Sequence, residues 1–252
     1  MKTLIFAHYD QFGIIRNDTV NFLNDAQSIF DKIYFISTNV NYFELQKLNS
    51  SITVIERENI GYDFFSYRIG IISLLDSMKG NIDHGYVTLM NSSFIILDAS
   101  KFFVHIKKSF LDKNCITGIT KSSEIKAHIQ SYMITIPLKL FKNYEFFYWW
   151  QKMKPINDRN SVILNYEIGL SQKILDLGGK LLTTYKPIFF NLNFKIKNPC
   201  FNQPVRLLNT VGIIKVQLIR DNPHTQNIKK IKGYFNKSKY TNEIYQQATQ
   251  KK

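Results

Sequence analysis

Short apolar runs alternate along this chain with stretches whose apolar positions recur at helical spacing. Residues 3–7, 32–36, 52–55 and 86–90 are rich in Ile, Val, Leu and Phe, and each run gives way to a polar cluster. Uninterrupted runs of that length are the pattern of strands covered on both faces. Between them, residues 18–30 carry Val20, Phe22, Leu23, Ala26, Ile29 and Phe30 at helical intervals, 43–48 form a shorter helical segment and 67–78 a longer one. Strands alternating with helices predict a largely parallel α/β sheet with helices on its faces. Beyond residue 100 the alternation loosens. Residues 102–110 read as a helix, 115–120 and 131–136 as strands, 167–177 as a helix stopped by Gly178-Gly179, and 180–185 as a last strand. The aromatic run in 138–153, from Phe141 to Trp150, reads as a buried helix face before it reads as a platform for stacking a sugar. No internal repeat or low-complexity segment occurs, and residues after about 224 read as a loosely held tail.

Composition narrows the class. A chain of 252 residues buries enough surface to need no disulfide or metal staple. With 44% hydrophobic and 21% charged residues it is not a disordered protein. Cys115 and Cys200 make neither a disulfide framework nor a ligand spacing, which suits a reducing compartment. No stretch reaches the roughly 18 apolar residues of a membrane span, and the first apolar run meets His8 and Asp10 too soon for a signal peptide. A cytoplasmic location is expected. The net charge of +14 is uneven: residues 190–252 carry twelve Lys or Arg against two acids, and residues 1–189 carry 21 against 17. The expected organisation is a nearly neutral domain over 1–189 and a basic extension over 190–252. Such an extension can meet nucleic acid, an anionic membrane or only solvent.

In open parallel sheets ligands bind beyond the carboxyl ends of the strands. Four polar clusters fall there: His8-Tyr9-Asp10, Ser37-Thr38-Asn39, residues 56–63, and Asn91-Ser92-Ser93. Gly61 permits a backbone bend, and Asn59 and Asp63 can hydrogen-bond a ribose or base; a turn with Asp63 as helix cap is the plainer reading. Glu167 is expected in the first turn of a helix, where the helix dipole favours an ionised acid. An ionised carboxylate beside a sugar hydroxyl is a general base, and a helix-capping Glu is the alternative. His128 and Gln130 precede a strand, where a lone His is more often structural. No Ser-His-Asp order, phosphate loop or Cys-x-x-Cys is present, so a hydrolase or ATPase has no support.

Five segments in order, Phe6-Ala-His-Tyr-Asp10, Arg57-Glu-Asn-Ile-Gly-Tyr-Asp63, Leu89-Met-Asn-Ser-Ser93, His128-Ile-Gln-Ser-Tyr132 and Leu218-Ile-Arg-Asp-Asn-Pro223, resemble the rhamnan synthesis protein F family. Its members are bacterial glycosyltransferases of cell-wall and lipopolysaccharide glycan assembly, and the resemblance spans residues 1 to about 225. The segments are also similar to the broader GT-A glycosyltransferases: Asn59-x-Gly61 to the turn after their third strand, Asn91-Ser92-Ser93 to the position of their Asp-x-Asp motif, and the Glu167 segment to their catalytic base. The resemblance implies a GT-A-like fold, a mostly parallel sheet flanked by helices, with Glu167 as base. It implies Asp10, Asn59 and Asp63 lining a nucleotide pocket, and the strand-end clusters add His8, Tyr9, Ser37, Gly61, Tyr62, Asn91, Ser92 and Ser93 to the expected nucleotide-sugar site. Arg57, Arg68, His128 and Gln130 would then serve the acceptor or the leaving diphosphate, with His8 a further candidate for the latter.

One departure matters. Where the family commonly shows Asn-Asp-Ser, this chain has Asn91-Ser92-Ser93, and no acid lies between residues 84 and 97. A hard cation needs oxygen ligands, usually carboxylates, so Mn²⁺ or Mg²⁺ would have to be held from elsewhere. The expected activity is transfer of rhamnose or another hexose from a nucleotide diphosphate donor to a growing, lipid-linked lipopolysaccharide, O-antigen, capsule or cell-wall glycan. The enzyme would be peripheral at the inner face of the membrane, its basic extension on anionic headgroups at about 1 kcal/mol per Lys or Arg, with no nucleic-acid partner. Two rivals remain: a non-catalytic RNA- or membrane-binding protein, which leaves the four polar clusters unexplained, and an inactive paralogue with Ser92 as its lesion.

Overall fold

The computed structural model describes residues 1–78, 84–112, 115–188, 197–223, 225 and 227–250. The four early apolar runs form β1 (Lys2–His8), β2 (Lys32–Ser37), β3 (Thr53–Glu56) and β4 (Tyr86–Asn91). There follow β5 (Phe94–Ile96), β6 (Cys115–Gly118), the two-residue β7 (Lys121–Ser122) and β8 (His128–Ile129), β9 (Met133–Pro137), β10 (Lys180–Thr183) and β11 (Ile213–Lys215). Seven strands build one sheet in the order β10-β6-β9-β4-β1-β2-β3, and only the pairings made by β9 are antiparallel. This is the mostly parallel α/β class expected. In register His8 lies beside Ser37, Ala7 beside Asn91, and Ser37 beside Glu56. The carboxyl ends of β1 to β4 therefore finish level, and the polar residues that follow them share one edge.

Helices cover both faces: α1 (Asn17–Asp25), α2 (Tyr42–Leu45), α3 (Tyr62–Ser77), α4 (Ala99–Lys108) and α5 (Tyr144–Gln151), then α6 (Arg159–Val162), α7 (Gly169–Asp176), α8 (Pro199–Asn202), α9 (Pro204–Val211), α10 (Val216–Arg220), α11 (Lys229–Phe235) and α12 (Lys239–Thr249). Successive strand residues point to opposite faces. Leu4 and Phe6 accordingly pack with Phe22 of α1 and Phe102 of α4, while Ile5 and Ala7 pack with Phe64 and Tyr67 of α3 and Trp150 of α5. Trp150 is fully buried against Phe64, and Phe141 and Phe146 are buried with it, so these residues supply core, while Tyr144 and Tyr148, stacked at 5.5 Å, stay exposed. Their helix is shorter than the pattern predicts, because Asn143 breaks the segment and its side chain caps α5 by accepting the Phe146 N–H at 3.0 Å.

Two expectations need correction. Glu167 does not open a helix. The helical segment starts at Arg159, capped by Asp158, which accepts the Ser161 N–H at 2.7 Å. It runs through a π-helical turn at Ile163–Ile168 and continues as α7. Glu167 sits in that wide turn, a distortion frequent at functional sites, and gains nothing from a helix N-terminus.

The second correction concerns the tail. The expected boundary at 189/190 and the onset at 224 lie outside the described residues. Residues 229–249, however, form α11 and α12, the latter opened by a capping box at Ser238. Ile231, Phe235 and Ile244 join Ile95, Ile214 and Leu218 in a third buried cluster, and β11 pairs with β5. The apolar positions inside this basic stretch are too sparse to stand out in composition, yet they suffice once β5 and β11 give them a floor. Among the described residues no helix is long and apolar enough to cross a membrane.

Candidate active site

The site grows from the turns after the strands. Past β1, Asp10 Oδ1 accepts the N–H groups of Phe12 (2.8 Å) and Ile14 (3.2 Å), folding the loop back on itself. Past β4, Asn91 accepts the Ser93 N–H at 3.1 Å and gives its own amide N–H to Asp63 Oδ2 at 2.8 Å. The Ser92 hydroxyl lies 3.3 Å from the backbone N–H and carbonyl of Tyr9, joining the two turns. A buried ion pair holds this corner from below. Arg16, 3.0 Å from Asp18, donates to the carbonyls of Ser92 (2.9 Å) and Phe94 (2.6 Å), while Asp18 accepts the Ile96 N–H at 2.9 Å. Charge-assisted bonds to backbone on both sides keep neither charge unsatisfied.

The loop between β3 and α3 is organised by Arg57. Its guanidinium donates to the carbonyls of Glu58, Ile60 and Tyr62 and to the Ser66 hydroxyl. Gly61 takes a left-handed φ of 74°, and a Cβ there would lie 2.7 Å from Phe65 Cβ and 2.9 Å from Pro155 Cα. Only glycine fits. Its N–H donates to Asn157 Oδ1 at 3.1 Å. The bend delivers Asp63 to the cleft floor, where burial lifts its carboxyl to about 6, with Lys215 opposing and Glu167 adding to the rise.

Distant segments supply the third wall. Tyr67 donates its hydroxyl to the Ser131 carbonyl at 2.9 Å, and the Ser131 N–H donates to Glu167 Oε1 at 3.0 Å, so a buried tyrosine fixes the residue that aims Glu167. His128 Nε2 stands 3.9 Å from the same oxygen. Lys215, at the end of β11, donates to the Ser93 hydroxyl at 2.9 Å. Together these walls enclose a cleft of about 340 Å³ whose charged lining is Asp10, Asp63 and Glu167 with Arg16, Arg159, Lys215 and Arg220. A second cleft of about 300 Å³ adjoins it, lined by Thr38, Arg57, Asn59, Ser66 and Asn157; Tyr9, Tyr62 and Asp63 border both.

Most of the expected residues converge here. Tyr9, Asp10, Tyr62, Asp63, Asn91, Ser92, Ser93 and Glu167 line the larger cleft, and His8, Arg57, Asn59 and Gly61 the smaller. Several roles change. His8 Nε2 donates to the Ile14 carbonyl at 3.1 Å, its Nδ1 lies 2.9 Å from the Ser37 hydroxyl, and burial lowers the ring to about 4. It is neutral at pH 7 and offers no positive charge to a diphosphate. Arg57 is committed to its own loop. Ser37, Arg68 and Gln130 line neither cleft: Ser37 serves His8, Arg68 donates to the Gln151 carbonyl at 3.1 Å, and Gln130 accepts from the Thr120 hydroxyl at 2.8 Å. His128 stands behind Glu167.

Sequence reasoning missed Arg159, Lys215, Arg220, Ser131, Gln247 of α12 and Gln250 just after it as lining residues. Arg220 belongs to the Leu218–Pro223 motif, so a signal existed. Lys215 and Arg220 also belong to the basic C-terminal part, whose charge is therefore turned in part toward the cleft.

The fold and this cleft define an α/β protein whose site, at the carboxyl edge of a parallel sheet, sets carboxylates beside cations able to hold an anion. Residues 33–250 match the rhamnan synthesis protein F family, and the chain belongs to that family. A curated relative, the uncharacterized protein y4gN of Sinorhizobium fredii (strain NBRC 101917 / NGR234), is 32% identical over 140 residues, which are 53% of this chain and 35% of that protein. The chain thus spans little more than a third of that relative. Among solved structures, a 4-diphosphocytidyl-2C-methyl-D-erythritol synthase is similar at 12% identity with a TM-score of 0.46, over 82% of this chain and 98% of the other. The glycosyltransferase GlyE of Streptococcus pneumoniae TIGR4 is similar at 12% identity with a TM-score of 0.43, over 96% and 62%. Neither likeness bears on what this chain does.

Proposed function

We propose that this chain is a glycosyltransferase of polysaccharide synthesis that moves a hexose, rhamnose among the candidates, from a nucleotide diphosphate donor to a glycan or lipid-linked glycan acceptor. The observation that carries the reading is the larger cleft: a carboxylate aimed by a backbone N–H, Glu167, lines the same space of about 340 Å³ as Lys215, Arg159 and Arg220. In this reading the smaller, neutral cleft takes the nucleoside, with Asn59, Thr38 and Asn157 as hydrogen-bonding groups. The diphosphate crosses the Tyr9–Asp63 junction into the charged cleft. Glu167 takes the proton of an acceptor hydroxyl. That oxygen bonds to the anomeric carbon from the face opposite the diphosphate, and the carbon–oxygen bond to the diphosphate breaks with its electron pair on the leaving oxygen. Positive groups already aimed there stabilise the new charge. The exposed lysines of α11, Lys229, Lys230 and Lys232, together with Lys237 and Lys239, are the residues this reading assigns to an anionic membrane surface at the cytoplasmic face.

A thermal-shift panel of UDP, dTDP, GDP and CMP tests the donor assignment. A ligand bound only by the folded chain adds about 2.7 kcal/mol of stability at a hundredfold excess over its Kd. One diphosphate should raise the Tm above the others. If none does so with well-folded protein, the transferase reading gives way to the inactive paralogue or to the binding protein, and the latter predicts salt-sensitive RNA binding.

A further inference from the structure

The Asn91-Ser92-Ser93 turn lies where the resemblance to GT-A enzymes implies a metal held by paired acids, and its atoms do not suit a divalent cation. The turn offers an amide and two hydroxyls but no carboxylate. Asn91 Oδ1 already accepts the backbone N–H and hydroxyl of Ser93, and the Asn91 amide nitrogen, a donor, is turned to Asp63 Oδ2. The Ser93 hydroxyl receives the Lys215 ammonium at 2.9 Å. A fixed positive charge therefore stands within hydrogen-bond distance of the turn, where it repels a second cation. Among the described residues no three His, Cys, Asp or Glu gather as a metal-holding group.

What the cleft gathers instead is cations on separate elements. The β11–β5 pairing sets Lys215 opposite Phe94, next to the turn, with its ammonium also 5.6 Å from the centre of the Tyr132 ring. Arg159 reaches Gln217 Oε1 at 3.4 Å. Neither Lys215 nor Arg159 enters an ion pair among the described residues, whereas Arg220 pairs with Asp221 at 2.9 Å. Ammonium and guanidinium groups of this kind donate strong, charge-assisted bonds to phosphate oxygens.

Building on the transferase reading, we infer that this chain holds and neutralises the donor's diphosphate with Lys215 and Arg159, in place of a divalent metal. As the bond from the anomeric carbon breaks and its electron pair passes to the diphosphate oxygen, the Lys215 ammonium meets the added charge.

Calorimetric titration of the full chain with UDP, dTDP, GDP and inorganic pyrophosphate, in EDTA and again in Mn²⁺, tests this. The inference expects one nucleoside diphosphate to bind with the same affinity in both buffers. Lys215→Met should weaken that binding about tenfold or more, the value of one charge-assisted hydrogen bond. Lys215→Arg, which keeps the charge, should restore most of it, and Lys107→Met, exposed on α4 and outside both clefts, should change nothing. Arg159 is exposed, so Arg159→Met supplies a second reading of the same loss should Lys215→Met fail to fold. Binding seen only with Mn²⁺, parental affinity in a folded Lys215→Met or Arg159→Met, or an equal loss in Lys107→Met would overturn the inference while leaving the transferase reading in place. A cooperatively melting chain that binds no nucleoside diphosphate in either buffer would overturn both.

Discussion

The two clefts at the carboxyl edge share Tyr9, Tyr62 and Asp63 and are otherwise built by opposite means. The smaller presents neutral hydrogen-bonding groups, Thr38, Asn59, Ser66 and Asn157, beside a His8 kept uncharged by burial; its guanidinium, Arg57, is turned inward onto its own loop. The larger sets three carboxylates against Arg16, Arg159, Lys215 and Arg220. A neutral cleft reads shape and hydrogen-bond pattern, while a charged one holds ions and moves protons. The division suits the two ends of a nucleotide sugar. It also separates what the chain builds locally from what it builds by long-range packing.

The largest effect should come from the wall that only the charged cleft has. Helix α12 and the residue that follows it contribute Gln247, Ala248 and Gln250 to that cleft and nothing to the other. Ile244, fully buried, anchors it. Ile244→Ala is expected to cost about 2–5 kcal/mol in chemical denaturation and to weaken pyrophosphate binding. Limited trypsin digestion of the parent should spare residues 229–249; trimming them readily would mean that α12 does not wall the cleft.

Asp63, shared by both clefts, gives the next effect. Its carboxyl is raised from 3.8 to about 6 by burial. The folded chain therefore binds a proton that the unfolded chain has already lost between those values. The stability this supplies is complete below about pH 4 and is lost as pH rises through 6, by at most about 1.4 kcal/mol per pH unit, less where water in the cleft reaches the carboxyl. Asp63→Asn should flatten this fall in denaturation midpoints measured between pH 4 and 7.5. An unchanged slope would remove Asp63 as its cause.

The smallest effect should be confined to the neutral cleft. Arg57→Lys keeps the charge but loses the fork that spans three carbonyls and a hydroxyl. A stability loss of roughly 1–2 kcal/mol is expected, with nucleoside diphosphate affinity reduced and pyrophosphate affinity kept. Equal losses for both ligands would erase the distinction between the clefts.

The same contrast explains what was legible in the sequence. Apart from Asn157 and Ser66, the neutral cleft is made of the turns at the ends of β1, β2 and β3, where the polar run after an apolar strand announces itself, and Asn59, Gly61 and Asp63 were named that way. The sheet was equally plain, because buried parallel strands leave unbroken apolar runs. Lys215 and Arg159 were not, since a lysine ending a three-residue strand and an exposed arginine opening a one-turn helix carry no local mark; β11–β5 pairing and the placement of α6 bring them in. Arg57 and His8 were named for charge, but their hydrogen bonds, invisible in one dimension, bind them into the scaffold. Glu167 was named for a helix start and for a resemblance; its place in the cleft comes from the π-helical turn and from Ser131, not from a helix start.

The central claim is that Glu167 is the base of a glycosyl transfer, and the direct measurement is release of nucleoside diphosphate from a nucleotide sugar by the parent chain and by Glu167→Gln, with donor affinity titrated in parallel. The account predicts turnover reduced roughly a hundredfold to ten-thousandfold, the usual contribution of a general base, at unchanged donor affinity. A folded Glu167→Gln that turns over at the parental rate would contradict it.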